Sequence, residues 1–297
     1  MRLYITGIAG LLGANIALDL ADRYDIYGCD LIRVPDLEFQ YETFDLLDFR
    51  KIESSIIDYR PDVVIHTAAM VNVDECERNP ERARILNAQL TKKISDICEK
   101  HSAFLVYIST DSVFDGSLER LYTENDITNP LNIYAKTKLN GEQYVLEKKG
   151  LVIRTNIYGI NKQNKMSFGE WIVISLMQGK TLNMFTDIKF SPILVNDLAY
   201  VIDLALENRL KGLYNVCATG AISKYDFGIK VKEKFEIETG RICKALSDDM
   251  HFEAFRPKNM GMSNEKISKR LDITLPTPEE SIAKFKNIFY VERRGQR

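Results

Sequence analysis

Histidine and cysteine, the side chains that most often hold transition metals, are scarce in this chain. Its three histidines (His66, His101, His251) lie far apart. The five cysteines (Cys29, Cys76, Cys98, Cys217, Cys243) are odd in number and form no C-x-x-C pair. Scattered thiols of this kind argue for a reducing compartment and against a zinc site or a disulfide framework. No metal is expected. An excess of one charge is missing too: 40 Lys and Arg against 42 Asp and Glu give a net charge of −2. Nothing therefore marks the surface for nucleic acid or membrane. The one basic cluster, Arg293, Arg294 and Arg297, reads as a solvated C-terminus. No apolar run approaches the ~18–20 residues of a membrane span. "MRLYITG" enters a core-like strand directly, with no room for a signal peptide, so a cytoplasmic protein is expected. Internal repeats and low-complexity linkers are absent as well.

What is present is an alternation. "RLYIT" (2–6), "DIYGCD" (25–30), "DVVIHTAA" (62–69), "AFLVYIST" (103–110) and "LVIRT" (151–155) read as strands. Their apolar runs are nearly continuous, as parallel strands covered on both faces require. Amphipathic stretches at 11–23, 49–59, 80–101 and 134–149 read as the intervening helices. This order predicts an α/β, Rossmann-type doubly wound parallel sheet. The second half is less regular: helices at 168–179, 195–208, 223–235 and 277–289, with strands at "TLNMF" and "GLYNVC" (212–217), the latter returning to the main sheet. The expected organisation is a Rossmann domain at 1–158, completed by 190–217. A smaller, mainly C-terminal substrate-binding lobe would comprise 159–189 and 218–297.

"TGIAGLLG" places Gly7, Gly10 and Gly13 between the first strand and the first helix. Such glycines permit a tight turn, close approach of a pyrophosphate and close helix–strand packing. The helix N-terminus adds unpaired N–H groups and a positive dipole end. Asp30 ends the second strand, where a carboxylate can accept from both hydroxyls of an adenine ribose and repel a 2′-phosphate. NAD(H) is thus preferred. Arg33 lies close enough to partner a 2′-phosphate, which leaves NADP(H) open. Asp45 offers another carboxylate, for an adenine amine, while Asp48 reads as a helix N-cap.

"IYAKTKLNGE" sets Tyr134 and Lys138 one helical turn apart on a single face. A phenol of pKa near ~10 is a poor catalyst at neutral pH, and a nearby ammonium is expected to lower it. "ISTDSVFDG" puts Ser109, Thr110 and Asp111 at the end of a core strand, on the edge where such folds bind ligands. A hydroxyl there can polarise a carbonyl and orient the tyrosine. Other residues read more plainly. His66 is a core histidine and Trp171 a packing residue. Asn87 is either a kink or water site, or a solvated helical residue.

Glycine turn, "STDSVFDG" and "YAKTK" together resemble the extended short-chain dehydrogenase/reductases in order and spacing. The wording is similar to the dTDP-4-dehydrorhamnose reductases and their sugar-nucleotide-binding relatives, nearly end to end: "VIHTAAMVNVDECE", "VIRTNIYG", "FSPILVNDLA" and "FRPKNMGMSNEKI" have counterparts there. The resemblance implies a catalytic triad of Thr110, Tyr134 and Lys138. It implies that Gly10, Leu11 and Leu12 touch the pyrophosphate, Asp30 the ribose, and Asp45 with Leu46 the adenine. Ala68, Ala69 and Met70 would border the cofactor, and Thr110, Asp111 and Tyr134 would meet the sugar. Arg256, before Pro257, would contact the nucleotide diphosphate. "RTNIYG" lacks a tryptophan associated with the rhamnose enzymes and is one residue shorter, so the sugar and its stereochemistry stay open. Ser112 stands where the related 4,6-dehydratases carry glutamate, which favours a reductase.

The reading is an NAD(P)H-dependent reductase of a nucleotide-linked 4-keto-6-deoxysugar. Its rivals are a nucleotide-sugar epimerase and a non-catalytic regulatory subunit resembling methionine adenosyltransferase beta. The nucleotide and the oligomeric state stay open, a homodimer among the options.

Overall fold

Near-continuous apolar runs become parallel strands here because helices cover both faces of one sheet. The structure is a computed structural model that describes residues 1–295 apart from Asp36 and Glu38. Arg297 and the side chains of Arg293 and Arg294 lie outside the described residues. In chain order the first half holds β1 (Arg2–Thr6), α1 (Leu11–Leu20), β2 (Asp25–Asp30), β3 (Glu42–Thr43), α2 (Phe49–Tyr59) and β4 (Val63–His66). Then come α3 (Val73–Arg78), α4 (Pro80–Arg84), α5 (Leu90–Lys100), β5 (Phe104–Thr110), α6 (Ile133–Glu147) and β6 (Leu151–Thr155). The second half holds β7 (Ile157–Tyr158), α7 (Phe168–Met177), β8 (Thr181–Phe185), β9 (Lys189–Phe190), β10 (Ile193–Leu194) and α8 (Val195–Glu207). It closes with β11 (Gly212–Asn215), β12 (Ile222–Ser223), α9 (Lys224–Lys234), β13 (Arg241–Ala245), β14 (Asn259–Met260), α10 (Glu265–Leu271) and α11 (Pro278–Gly295).

Seven strands form the main sheet among the described residues, in the order β11-β6-β5-β4-β1-β2-β3. Every pairing in it is parallel. This is the doubly wound Rossmann arrangement, and its order reverses between β1 and β4, where such sheets open a binding crevice. β11 lies beside β6, with Tyr214 opposite Ile153, so a late segment joins the sheet that the first half builds. Smaller sheets belong to the second half: β8 with β13, and β12-β9-β14. These pack with α7, α9 and α11 around an aromatic core of Tyr158, Phe190, Phe227, Phe235, Phe285 and Phe289. Tyr158 meets Phe227 edge-on at 5.1 Å and Phe285 at 5.4 Å, geometry that aromatic quadrupoles favour.

Some boundaries differ from the sequence reading. β4 stops at His66 rather than Ala69, because Thr67 and Ala68 turn onto the glycine turn, the Thr67 hydroxyl reaching the Gly7 carbonyl at 3.3 Å. α1 ends at Leu20. The helix expected over 80–101 is interrupted by a π turn at Ile85–Gln89. All five cysteines are free.

His66 is fully buried, with Nδ1 2.7 Å from the Thr6 hydroxyl and Nε2 3.1 Å from that of Thr91. It is the satisfied core histidine its strand implies. Burial, with the Lys138 ammonium nearby, pushes its pKa down to about 3 from 6.5. The unfolded chain therefore takes up this proton first as pH falls through 6.5, and stability drains away between there and about 3. At pH 5 the loss is on the order of 2 kcal/mol. Urea unfolding at pH 7 and pH 5 should show the wild type losing about that much more than His66→Gln. Equal losses would mean that His66 titrates freely in the fold.

Candidate active site

The glycine turn is built for close approach. Gly7 adopts φ +71°, and a Cβ there would sit 3.0 Å from the Ala68 backbone, so only glycine fits without strain. A side chain at Gly13 would run into the Gly7 carbonyl, which is why α1 can begin so tightly against β1. Gly10 is the N-cap of α1 and no side chain caps its first turn. Uncapped N–H groups at the positive end of a helix dipole suit a diphosphate. The chain's residues therefore fit a dinucleotide here.

Asp30 lies at the end of β2 against this turn, 7% exposed. Its Oδ2 accepts from the Ala9 N–H at 3.0 Å and its Oδ1 from the Ile32 N–H at 3.3 Å. Burial raises its pKa, partly offset by these backbone donors. The carboxylate thus braces the turn. Arg33 is exposed, donates to the Tyr41 carbonyl at 3.0 Å and stacks its guanidinium 4.4 Å over the Tyr41 ring. Asp45 is exposed and accepts from the Leu47 N–H. The side chains of Leu46 and Leu12 are buried, at 7% and 4% exposure. Leu11 is half-buried at the helix start.

Thr110 ends β5 at the sheet's C-terminal edge, and its Oγ1 accepts from the Ser112 N–H at 3.1 Å. The Tyr134 phenol, one residue into α6, interacts with that same hydroxyl. Asn132 caps α6 through the Ala135 N–H, and the Ile133 N–H donates to Glu77 at 2.7 Å. These bonds fix where Tyr134 leaves the helix. Lys138 is buried one turn further on, at 3% exposure. Its ammonium donates to the Ile108 carbonyl at 2.7 Å and lies 4.1 Å over the Tyr107 ring. Thr110, Tyr134 and Lys138 thus share one strand end.

The electrostatics differ from the sequence expectation. Tyr134 is pushed above the usual phenol range by burial, with Thr110 pulling the other way. Lys138 is pulled down to about 7 by burial, with Glu142 opposing. Burial thus outweighs the acidification that the four-residue spacing suggested.

Asp111 is buried and heavily held: Asn156 donates to it at 2.6 Å, Thr110 at 3.1 Å and Ser112 at 3.2 Å. Met70 is buried beside Cys76 and Tyr134, while Ala68 and Ala69 are half-buried. Asn87, in the π turn, accepts from the Met70 N–H at 2.8 Å and donates to the Met70 carbonyl and to Thr137, both at 3.1 Å. It therefore ties the loop after β4 to the tyrosine helix, a role that neither sequence reading gave it. Arg256 pairs with Asp74 at 2.8 Å, while its Nη1 is buried without a partner. Two further residues escaped the sequence reading. Glu142 continues the Tyr134–Lys138 face, accepting from Ser109 at 2.5 Å and from Arg154 at 2.7 Å. Lys224, at the start of α9, sits over Phe168 and Phe190 close enough to Asp111 for their charges to interact.

A Rossmann sheet with a hydroxyl–phenol–amine cluster on its C-terminal edge defines a reductase-like protein of the extended type. The chain belongs to the RmlD substrate binding domain family, whose model matches residues 1–291. It is 27% identical to the probable low-salt glycan biosynthesis reductase Agl14 of Haloferax volcanii, over 97% of this chain and 98% of that protein. It is 30% identical to methionine adenosyltransferase 2 subunit beta of Rattus norvegicus, over 93% of this chain and 84% of that one. The solved dTDP-4-dehydrorhamnose reductase of Bacillus anthracis, in complex with NADP, matches with a TM-score of 0.86 at 28% identity. That match covers 98% of this chain and 99% of that one.

Glu142 and Arg154 are 1% and 4% exposed, so either alone would be an uncompensated buried charge. Glu142→Gln should cost about 3–5 kcal/mol in equilibrium unfolding. Glu142→Leu combined with Arg154→Met should recover most of it. A single-variant loss below about 1 kcal/mol would show that water already reaches the pair.

Proposed function

We propose that this protein reduces the carbonyl of a nucleotide-linked 4-keto-6-deoxysugar with NADH or NADPH. The observation that carries the reading is the meeting of Thr110, Tyr134 and Lys138 beside an uncapped helix N-terminus. The similarity to the Bacillus anthracis reductase supports it. Gly7, Gly10 and Gly13, with the backbones of Leu11 and Leu12, would hold the diphosphate of the dinucleotide. Asp30 would hold the adenine ribose, Asp45 and the Leu46 backbone the adenine, and Ala68, Ala69 and Met70 the crevice wall. The dinucleotide, when bound, supplies the hydride.

Thr110 and Tyr134 hold the carbonyl oxygen between them, and Tyr134 gives its proton as negative charge grows there. Burial keeps the phenol protonated at neutral pH, the state a donor needs. The developing alkoxide is basic enough to take that proton without a phenolate being prepared beforehand. Lys138 would anchor the nicotinamide ribose. Asp111 accepts from the sugar, and the orphaned Nη1 of Arg256 is suited to the substrate diphosphate. Ser112 offers no carboxylate for water elimination. The cofactor preference is for NADH: Asp30 disfavours a 2′-phosphate, and Arg33 is engaged with Tyr41. The protein would work in the cytoplasm.

The 30% identity to a methionine adenosyltransferase subunit favours a second reading, a regulatory subunit on the same fold. NADH absorbance followed with a panel of nucleotide 4-ketosugars separates the two. A reductase consumes NADH in step with the sugar; a regulatory subunit binds cofactor and turns over none of them. Tightly held NAD with sugar interconversion and no net NADH oxidation would identify an epimerase instead.

Two variants sharpen the test. Tyr134→Phe should keep NADH affinity and lose ~10²–10⁴-fold in turnover; near-wild-type turnover would eliminate the mechanism. NADH should bind more tightly than NADPH, with the gap narrowed in Asp30→Ala. Tighter NADPH binding by the wild type would assign the site to Arg33.

A further inference from the structure

Lys224 carries a charge that the proposed chemistry does not use. Its backbone is fixed at the junction of β12 and α9, where Ser223 caps the helix and the Lys224 N–H donates to the Ile188 carbonyl at 2.9 Å. Its side chain is half-buried, and its ammonium stands 3.3 Å from the centre of the Phe190 ring and 4.4 Å from that of Phe168. Among the described residues it meets ring faces rather than a hydrogen-bond acceptor. Asp111 is near enough to stabilise the charge, but its carboxylate already takes donors from Asn156, Thr110 and Ser112. Burial lowers the amine to about 8, so it stays mostly protonated at neutral pH.

An ammonium carries three donors, and ring faces satisfy charge but not direction. This one is held in place by two rigid rings, so little side-chain entropy is left to lose when an acceptor arrives. It comes from the second half of the chain, from the start of α9, and its charge is felt by Asp111, one residue from Thr110. A hydroxyl placed between such a pair accepts from the amine and donates to the carboxylate.

We propose that Lys224 binds a hydroxyl of the substrate sugar next to the reacting carbonyl, together with Asp111, and so selects the sugar rather than the nucleotide. The proposal rests on the sugar-nucleotide reading above and adds the residue that distinguishes one sugar from another. Lys224 also links the lobes through substrate, since Asp111 belongs to the sheet and Lys224 to the smaller lobe.

Calorimetric titration of the NAD-loaded protein with dTDP and with dTDP-rhamnose tests this without requiring turnover. The wild type should bind dTDP-rhamnose more tightly than dTDP. Lys224→Met should weaken dTDP-rhamnose about tenfold or more, as loss of a charge-assisted hydrogen bond does, and leave dTDP and NADH affinities unchanged. Lys224→Gln, which keeps a donor, should restore part of the gap. Equal binding of dTDP-rhamnose by wild type and Lys224→Met would overturn the proposal and leave Lys224 as a packing cation on its two rings. Loss of dTDP binding in Lys224→Met would overturn it in favour of a phosphate contact. A wild type that binds neither ligand, nor UDP, GDP or CDP, would overturn the sugar-nucleotide reading and this proposal with it.

Discussion

A carboxylate on α6 and a guanidinium on β6 meet where water does not reach, and the rest of the site is placed by that meeting. Glu142 takes two donors from Arg154 and one from Ser109. Ser109 precedes Thr110, and Glu142 lies two turns along the same helical face as Tyr134. One ion pair therefore sets the distance between the strand end and the tyrosine helix. Burying two charges is costly, and the pair repays that cost only if its remaining polar atoms are satisfied. Ser109 satisfies one of them, whereas Nη1 of Arg154 is buried without a hydrogen-bond partner and its guanidinium lies 5.1 Å over Phe114. The arrangement holds register more than it adds net stability.

The second constraint is the junction between the sheet and the smaller lobe. Asp74 receives the Ala254 N–H and Arg256, Arg78 pairs with Glu253, and Asn132 donates to the Phe255 carbonyl. The strap at 253–256 is thus fastened to α3 and to the cap of the tyrosine helix. Lys224, at the start of α9, rests on Phe168 and Phe190. Polar groups from both halves of the chain come together here through partners far away in sequence.

That dependence on distant partners decides what could be read from sequence. The glycine turn and the first-half strands were legible, because chain-local patterns and apolar continuity determine them. The Tyr134–Lys138 spacing was legible for the same reason: a helical turn is a local property. The tyrosine's acidity was not, since it follows from burial. The burial of the Leu46 and Leu12 side chains was not legible either, because only the packed sheet reveals it. Asn87 carried two readings until its partners, Met70 and Thr137, were brought to it by the fold. Arg154 is a lone charge inside an apolar strand, and its buried partner Glu142 emerges only with the fold. Lys224 left none, because the rings it rests on and the carboxylate it faces come from three separate stretches of chain.

The π turn at Ile85–Gln89 has a consequence for how this helical stretch can vary. A π turn holds one residue more than the α-helical turn it replaces, and each residue advances a helix by about 100°. The faces of α4 and α5 are therefore out of phase by that angle, as though two helices had been spliced with an offset. Ala83, before the offset, packs toward Met70, whereas Ile94 and Cys98, after it, pack beneath the sheet. Deleting a single residue here would regularise the helix yet rotate one of those faces away from its neighbours. A local irregularity is thus the device by which a single rod serves two differently oriented surfaces.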